Sequence, residues 1–122
     1  MAVTEIQAKE FETKALNLEK MALVEFWHDT CHWCHKFGPV YEQVSEKFPN
    51  VSFLKMNVLE NPENQDFAAG KGVISTPTTK AFCKGVEVGE IIGFRDAEEL
   101  EKTIKGLIEG MTACEQSTKL EN

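Results

Sequence analysis

The sequence predicts one α/β domain built on a mixed central β-sheet with helices on both faces, and three observations predict it. The chain has 122 residues, 42% of them apolar, which is the size of one domain and enough to fill one core. Short apolar runs rich in strand formers alternate with longer stretches whose apolar residues recur at helical spacing, as parallel strands and crossover helices require. The last two apolar runs are separated only by a tight-turn signal, which adds antiparallel strands.

In chain order, residues 2–6 read as an edge strand. Ala8, Phe11, Ala15 and Leu18 then recur among Lys and Glu, predicting an amphipathic helix of about four turns. Residues 22–27, ALVEFW, form a short apolar run that suits a strand buried on both faces, with Glu25 out of place in it. Asp29 or Thr30 can cap the next helix, whose stripe is Phe37, Val40, Tyr41, Val44 and Phe48 and which Pro39 should kink. Val51, Phe53, Met56 and Val58 mark a further strand. Asn61-Pro62 then opens a short helix with Phe67 and Ala68 on its apolar side, proline suiting the first helical position.

Residues 75–82 and the run from Val86 to Ile92 flank Gly85 and read as a hairpin. Asp96 with Glu99 three residues on signals a last helix, with Ala97, Leu100, Ile104, Leu107 and Ile108 as its stripe. The predicted order is β-α-β-α-β-α-β-β-α, with a domain over 1–110 and a polar, aperiodic tail over 111–122 that should fray. There is no internal repeat and no low-complexity linker.

Thirteen Lys+Arg against twenty Asp+Glu give a net charge of −7, a field that repels phosphate backbones and anionic lipid. Neither nucleic acid nor a membrane is an expected partner. No apolar run approaches the roughly 18 to 20 residues that span a bilayer. The first residues lack a basic segment followed by an apolar one, so a cytoplasmic, unexported monomer is the expectation.

Four cysteines in such a chain do not make a disulfide scaffold. Cys31 and Cys34 are spaced C-x-x-C, whereas the spacing of Cys83 and Cys114 suggests no partner and a passive role for each. The pair follows a predicted central strand directly, and the carboxyl ends of such strands are where open α/β sheets place their sites. Thiols three apart in a first helical turn can close a disulfide. Cys31, at the helix start, faces unpaired amides and the helix dipole, which lower a thiol from about 8.5 toward 7 or below. This makes Cys31 the candidate nucleophile and Cys34 the candidate resolving thiol.

All three histidines, His28, His32 and His35, fall beside the pair. An imidazolium at His32 would stabilise the Cys31 thiolate and make the pair more oxidising. Two thiolates with two imidazoles could instead hold zinc, a non-enzymatic alternative whose ligand spacing is unusual. Glu25, if buried, should have a raised pKa and could exchange a proton with Cys34, with Lys55 on the next strand as its partner. At a solvated sheet edge both would merely be surface.

LVEFW leading into C-x-x-C, Pro39 in the following helix, Lys55, the Thr76-Pro77 pair and Gly93 together resemble the thioredoxin family, over about Val3 to Glu109. The resemblance implies a thioredoxin-like fold and an enzyme that reduces protein disulfides through a redox-active Cys31–Cys34 disulfide, with no other cofactor. It implies an upstream reductase to recharge the pair. It places Glu25 where the family has a buried carboxylate, usually Asp, with Lys55 as its companion. Pro77 takes the place of a cis-proline, and the backbone at Thr76 that of a substrate-pairing segment. The motif departs from the family's W-C-G-P-C. Thr30 replaces the Trp and His32-Trp33 replace Gly-Pro, so Trp33 becomes a candidate docking aromatic and a more oxidising activity, as oxidase or isomerase, becomes the alternative.

Overall fold

The computed structural model describes residues 3–16 and 20–120, with backbone alone at Leu16 and 111–120. Ala2, Leu18 and the side chain of Cys114, all used above, lie outside the described residues. The strands are β1 Val3–Glu5, β2 Ala22–Trp27, β3 Ser52–Asn57, β4 Thr78–Cys83 and β5 Val86–Ile92. The helices are α1 His32–Ser45, α2 Pro62–Gly70 and α3 Ala97–Leu120, so α3 continues through the segment read from sequence as a polar tail.

One sheet runs β1-β3-β2-β4-β5. β1, β3 and β2 are parallel, and β4 and β5 are antiparallel to their neighbours, which is the predicted mixed sheet. Side chains alternate across it, so each strand feeds two cores. On one face Leu23, Phe53, Ala81 and Ile91 meet Phe37, Tyr41 and Val44 of α1 and Leu100 and Ile104 of α3. On the other, Val24, Phe26, Leu54, Met56 and Phe82 meet Phe11, Ala15 and Ala68. Burying a side chain of this size contributes about 1.5–3 kcal/mol, which is why these stripes fix which way each helix faces.

The predicted first helix is instead a 3₁₀ turn, Ala8–Glu10, followed by a π turn, Glu12–Leu16. Tertiary anchors override the local helix. The Ala8 amide donates to Asn64 Oδ1 at 2.8 Å, and Phe11 is held between Phe67 and Phe82, at 4.7 and 4.9 Å between ring centres. Phe11 and Ala15 still reach the core, so the apolar spacing was a true signal of burial.

Lys84 and Gly85 join β4 to β5 with φ of 52° and 85°, the left-handed pair of a two-residue hairpin turn. A bulge at Ala81/Phe82 shifts the register. Gly89 lies under α3, where a Cβ would stand 2.5 Å from Leu107 Cδ2. Lys80, buried in β4, has its charge met by Glu87 at 2.8 Å and Glu90 at 3.0 Å. Cys83 closes β4, is 1% exposed and is not a free thiol.

Candidate active site

β2 delivers the chain to the reactive pair through His28–Thr30, and α1 begins at His32. The residue capping α1 is Cys31, where Asp29 or Thr30 was predicted. Cys31 has extended backbone, φ −88° and ψ 112°, and its Sγ accepts from the Cys34 amide at 3.1 Å. The cap lies further along because Asp29 and Thr30 are engaged within the loop. Thr30 Oγ1 lies 3.2 Å from His28 Nδ1, the Asp29 carboxylate accepts from Asn57 Nδ2 at 3.5 Å, and the Asp29 carbonyl accepts from His35 Nε2. A sulfur in the capping position receives the donor that would otherwise stay orphaned at a helix start.

Cys31 and Cys34 are joined as a disulfide across a Cα–Cα distance of 5.2 Å, within the ordinary range for such a bond. Both are buried, at 8% and 4% exposure, so the end further into the helix is the more enclosed. α1 continues through Pro39 to Ser45.

Glu25 is 2% exposed in the middle of β2, which excludes the solvated-edge reading. Burial pushes its carboxyl up from 4.5 to about 7, opposed by the Lys55 charge and reinforced by Glu5 and Glu42. Glu25 and Cys34 line one cleft together with Trp27, His35, Gly38, Pro39, Glu42 and Lys55. Lys55 is register-paired with Glu25, but its ion pair runs the other way, to Glu5 Oε1 at 3.8 Å, and its ammonium sits 5.0 Å from the centre of the Trp27 ring. The predicted direct partnership of Lys55 with Glu25 is therefore a longer-range electrostatic one.

Trp33, Thr76, Pro77, Gly93 and Phe94 line a second groove. The Thr76-Pro77 peptide is cis, and the Pro77 carbonyl accepts from the Gly93 amide at 2.8 Å. Trp33 is 53% exposed and leans on Phe94, with ring centres 5.7 Å apart. His32 packs its ring against Trp33, with ring centres 5.3 Å apart. Among the described residues no group of three His, Cys, Asp or Glu side chains converges as a metal ion would need.

Sequence reasoning missed Glu5, Glu42, His35 as a cleft residue, and Phe94. Glu42 had a signal, because Cys34, Gly38 and Glu42 are spaced four apart and so share one face of α1. Glu5 had none, since the register of a parallel edge strand is not written in its own residues.

The family model described as Thioredoxin matches residues 2–106. A thioredoxin from Equus caballus is 40% identical over 108 residues, covering 87% of this chain and 99% of that protein. One from Bos taurus is 39% identical over the same shares. One from Alicyclobacillus acidocaldarius is 33% identical over 97 residues, covering 79% of this chain and 90% of its own length. With the mixed five-stranded sheet and the Cys31–Cys34 disulfide at the start of α1, these matches show that the chain belongs to the thioredoxin family.

Proposed function

We propose a division of labour in this protein-disulfide reductase, in which Cys31 attacks, Cys34 resolves and Glu25 handles the proton. The Cys31 thiolate attacks one sulfur of a partner disulfide, forming a mixed disulfide and expelling the other partner sulfur as thiolate. Cys34 then passes its proton to the Glu25 carboxylate, and its thiolate attacks the Cys31 sulfur. The second partner thiolate leaves, the partner has gained two electrons, and Cys31 and Cys34 are left oxidised. The observation carrying this reading is the pairing of a capped sulfur with an enclosed one: Cys34 donates its amide to Cys31 at 3.1 Å, while its own side chain faces the cleft holding a carboxyl with a pKa of about 7.

Trp33, Thr76 and Pro77 are proposed as the docking surface, with partner backbone running along Thr76 and apolar side chains against Trp33 and Phe94. His32 is proposed to tune the pair by its charge. A separate upstream reductase returns electrons to the pair. The protein is proposed to act as a cytoplasmic monomer, a reducing compartment being where such a dithiol is kept charged.

The reduction potential tests the direction of flux. A reductase should equilibrate well below about −200 mV and reduce insulin disulfides catalytically, whereas a value near or above −200 mV assigns the protein to oxidising chemistry.

A further inference from the structure

The same face of the sheet carries Glu5, Lys55 and Glu25 side by side, because β1 pairs Glu5 with Lys55 and β2 pairs Glu25 with Lys55. A single ammonium between two carboxylates must be shared or taken by one of them. Here Glu5 has it, at 3.8 Å. The Glu5 carboxylate is itself anchored, since Oε2 accepts from the Trp27 indole at 3.2 Å and from the Asn57 backbone amide at 3.2 Å. It is about a third exposed, whereas Glu25 is buried.

We propose that Glu5 is a positioning residue for the active site, holding the Lys55 ammonium on the β1 side of the row and so away from the Glu25 carboxyl. Ion pairing with Lys55 would favour the Glu25 carboxylate, and the Glu5 charge disfavours it. Removing Glu5 acts twice in one direction, by ending a repulsion and by freeing a counter-ion. The other groups facing Glu25 leave this comparison intact. α1 contributes Glu42, His35, Cys34 and Tyr41, none of which pairs with Lys55 within 4 Å, and β4 contributes the uncharged Thr79. This role rests on the reading of Glu25 as proton partner of Cys34.

The test is a carboxyl-carbon NMR titration of Glu25 in four proteins: the parent, Glu5→Gln, Lys55→Gln and the double variant. Glutamine keeps acceptors for Trp27 and Asn57, and Glu5→Ala serves as the second variant should Glu5→Gln fold poorly. The expected result is a fall of about half a pH unit or more in the Glu25 midpoint on Glu5→Gln, and a clearly smaller fall in the Lys55→Gln background. No fall, or an equal fall in both backgrounds, overturns the proposal, because Glu5 would then not act through Lys55. The titration needs no partner protein, so it decides the role of Glu5 even if Glu25→Gln leaves resolution unchanged, the result that would remove the proton-transfer reading itself.

Discussion

The backbone N–H of Cys34 donates to the sulfur of Cys31 at 3.1 Å, so one member of the reactive pair helps to solvate the other. Hydrogen bonding to the charged form lowers a pKa, and here the donor also carries the positive end of the α1 dipole. In the reduced protein Cys31 should therefore ionise below the roughly 8.5 of a free thiol. Cys34→Ser should accumulate partners as stable mixed disulfides through Cys31, visible on non-reducing gels and removed by dithiothreitol. Adducts that form instead in Cys31→Ser would reverse the order of attack.

Glu25 makes stability depend on pH with a sign that can be worked out. Its pKa is raised from 4.5 to about 7 in the fold, so the folded state holds a proton that the unfolded chain releases. The stability tied to the neutral carboxyl is fully present below about pH 4.5 and is lost as pH rises through about 7. Burying the charged form then costs on the order of 3 kcal/mol. Glu25→Gln should accordingly be more stable than the parent at pH 8 and equal to it at pH 4, by urea unfolding of the oxidised proteins. It should also slow resolution more than initial attack in stopped-flow measurements, and equal slowing of the two steps would remove the proton from the mechanism.

Thr79 stands opposite Glu25 in β4, and among the described residues its buried Oγ1 has no hydrogen-bond partner. A buried hydroxyl without a partner costs stability, and valine has the same shape without it. Thr79→Val should gain about 1 kcal/mol in urea unfolding. A loss of stability would mean that the hydroxyl is satisfied after all.

Trp33 is half exposed, so truncating it should leave the fold within about 0.5 kcal/mol of the parent. Its proposed work is in docking. Trp33→Ala should raise KM for a protein disulfide by about three- to tenfold while leaving the rate with a small aromatic disulfide unchanged. Equal losses on both substrates would place Trp33 in the chemistry of the pair instead.

The fold was legible because its signals are local and repeated. Phe37, Tyr41 and Val44 on α1, and Leu100 and Ile104 on α3, were read from spacing alone and are buried as that spacing requires. The hairpin was legible from Gly85, and the α3 cap from Asp96, whose Oδ1 accepts the Glu99 amide at 2.9 Å. What was illegible depends on contacts distant in sequence. The turn at Ala8 follows Asn64, 56 residues away, and the partner of Lys55 is Glu5, brought to it only by the edge pairing of β1. Burial of Glu25 was open in the sequence, since a carboxylate in an apolar run suits either a solvated edge or an enclosed centre. The strand order decides between them by placing β2 in the middle.

The two hollows beside the cysteines have no residue in common: Trp33, Thr76, Pro77, Gly93 and Phe94 border one, while Glu25, Cys34, Glu42 and Lys55 are among those bordering the other. Under the proposed docking mode a client seats on the first, whereas the groups around Glu25 border the second. On that proposal acidity and client choice are separable traits of this scaffold, and substitutions in one wall should leave the other with its character.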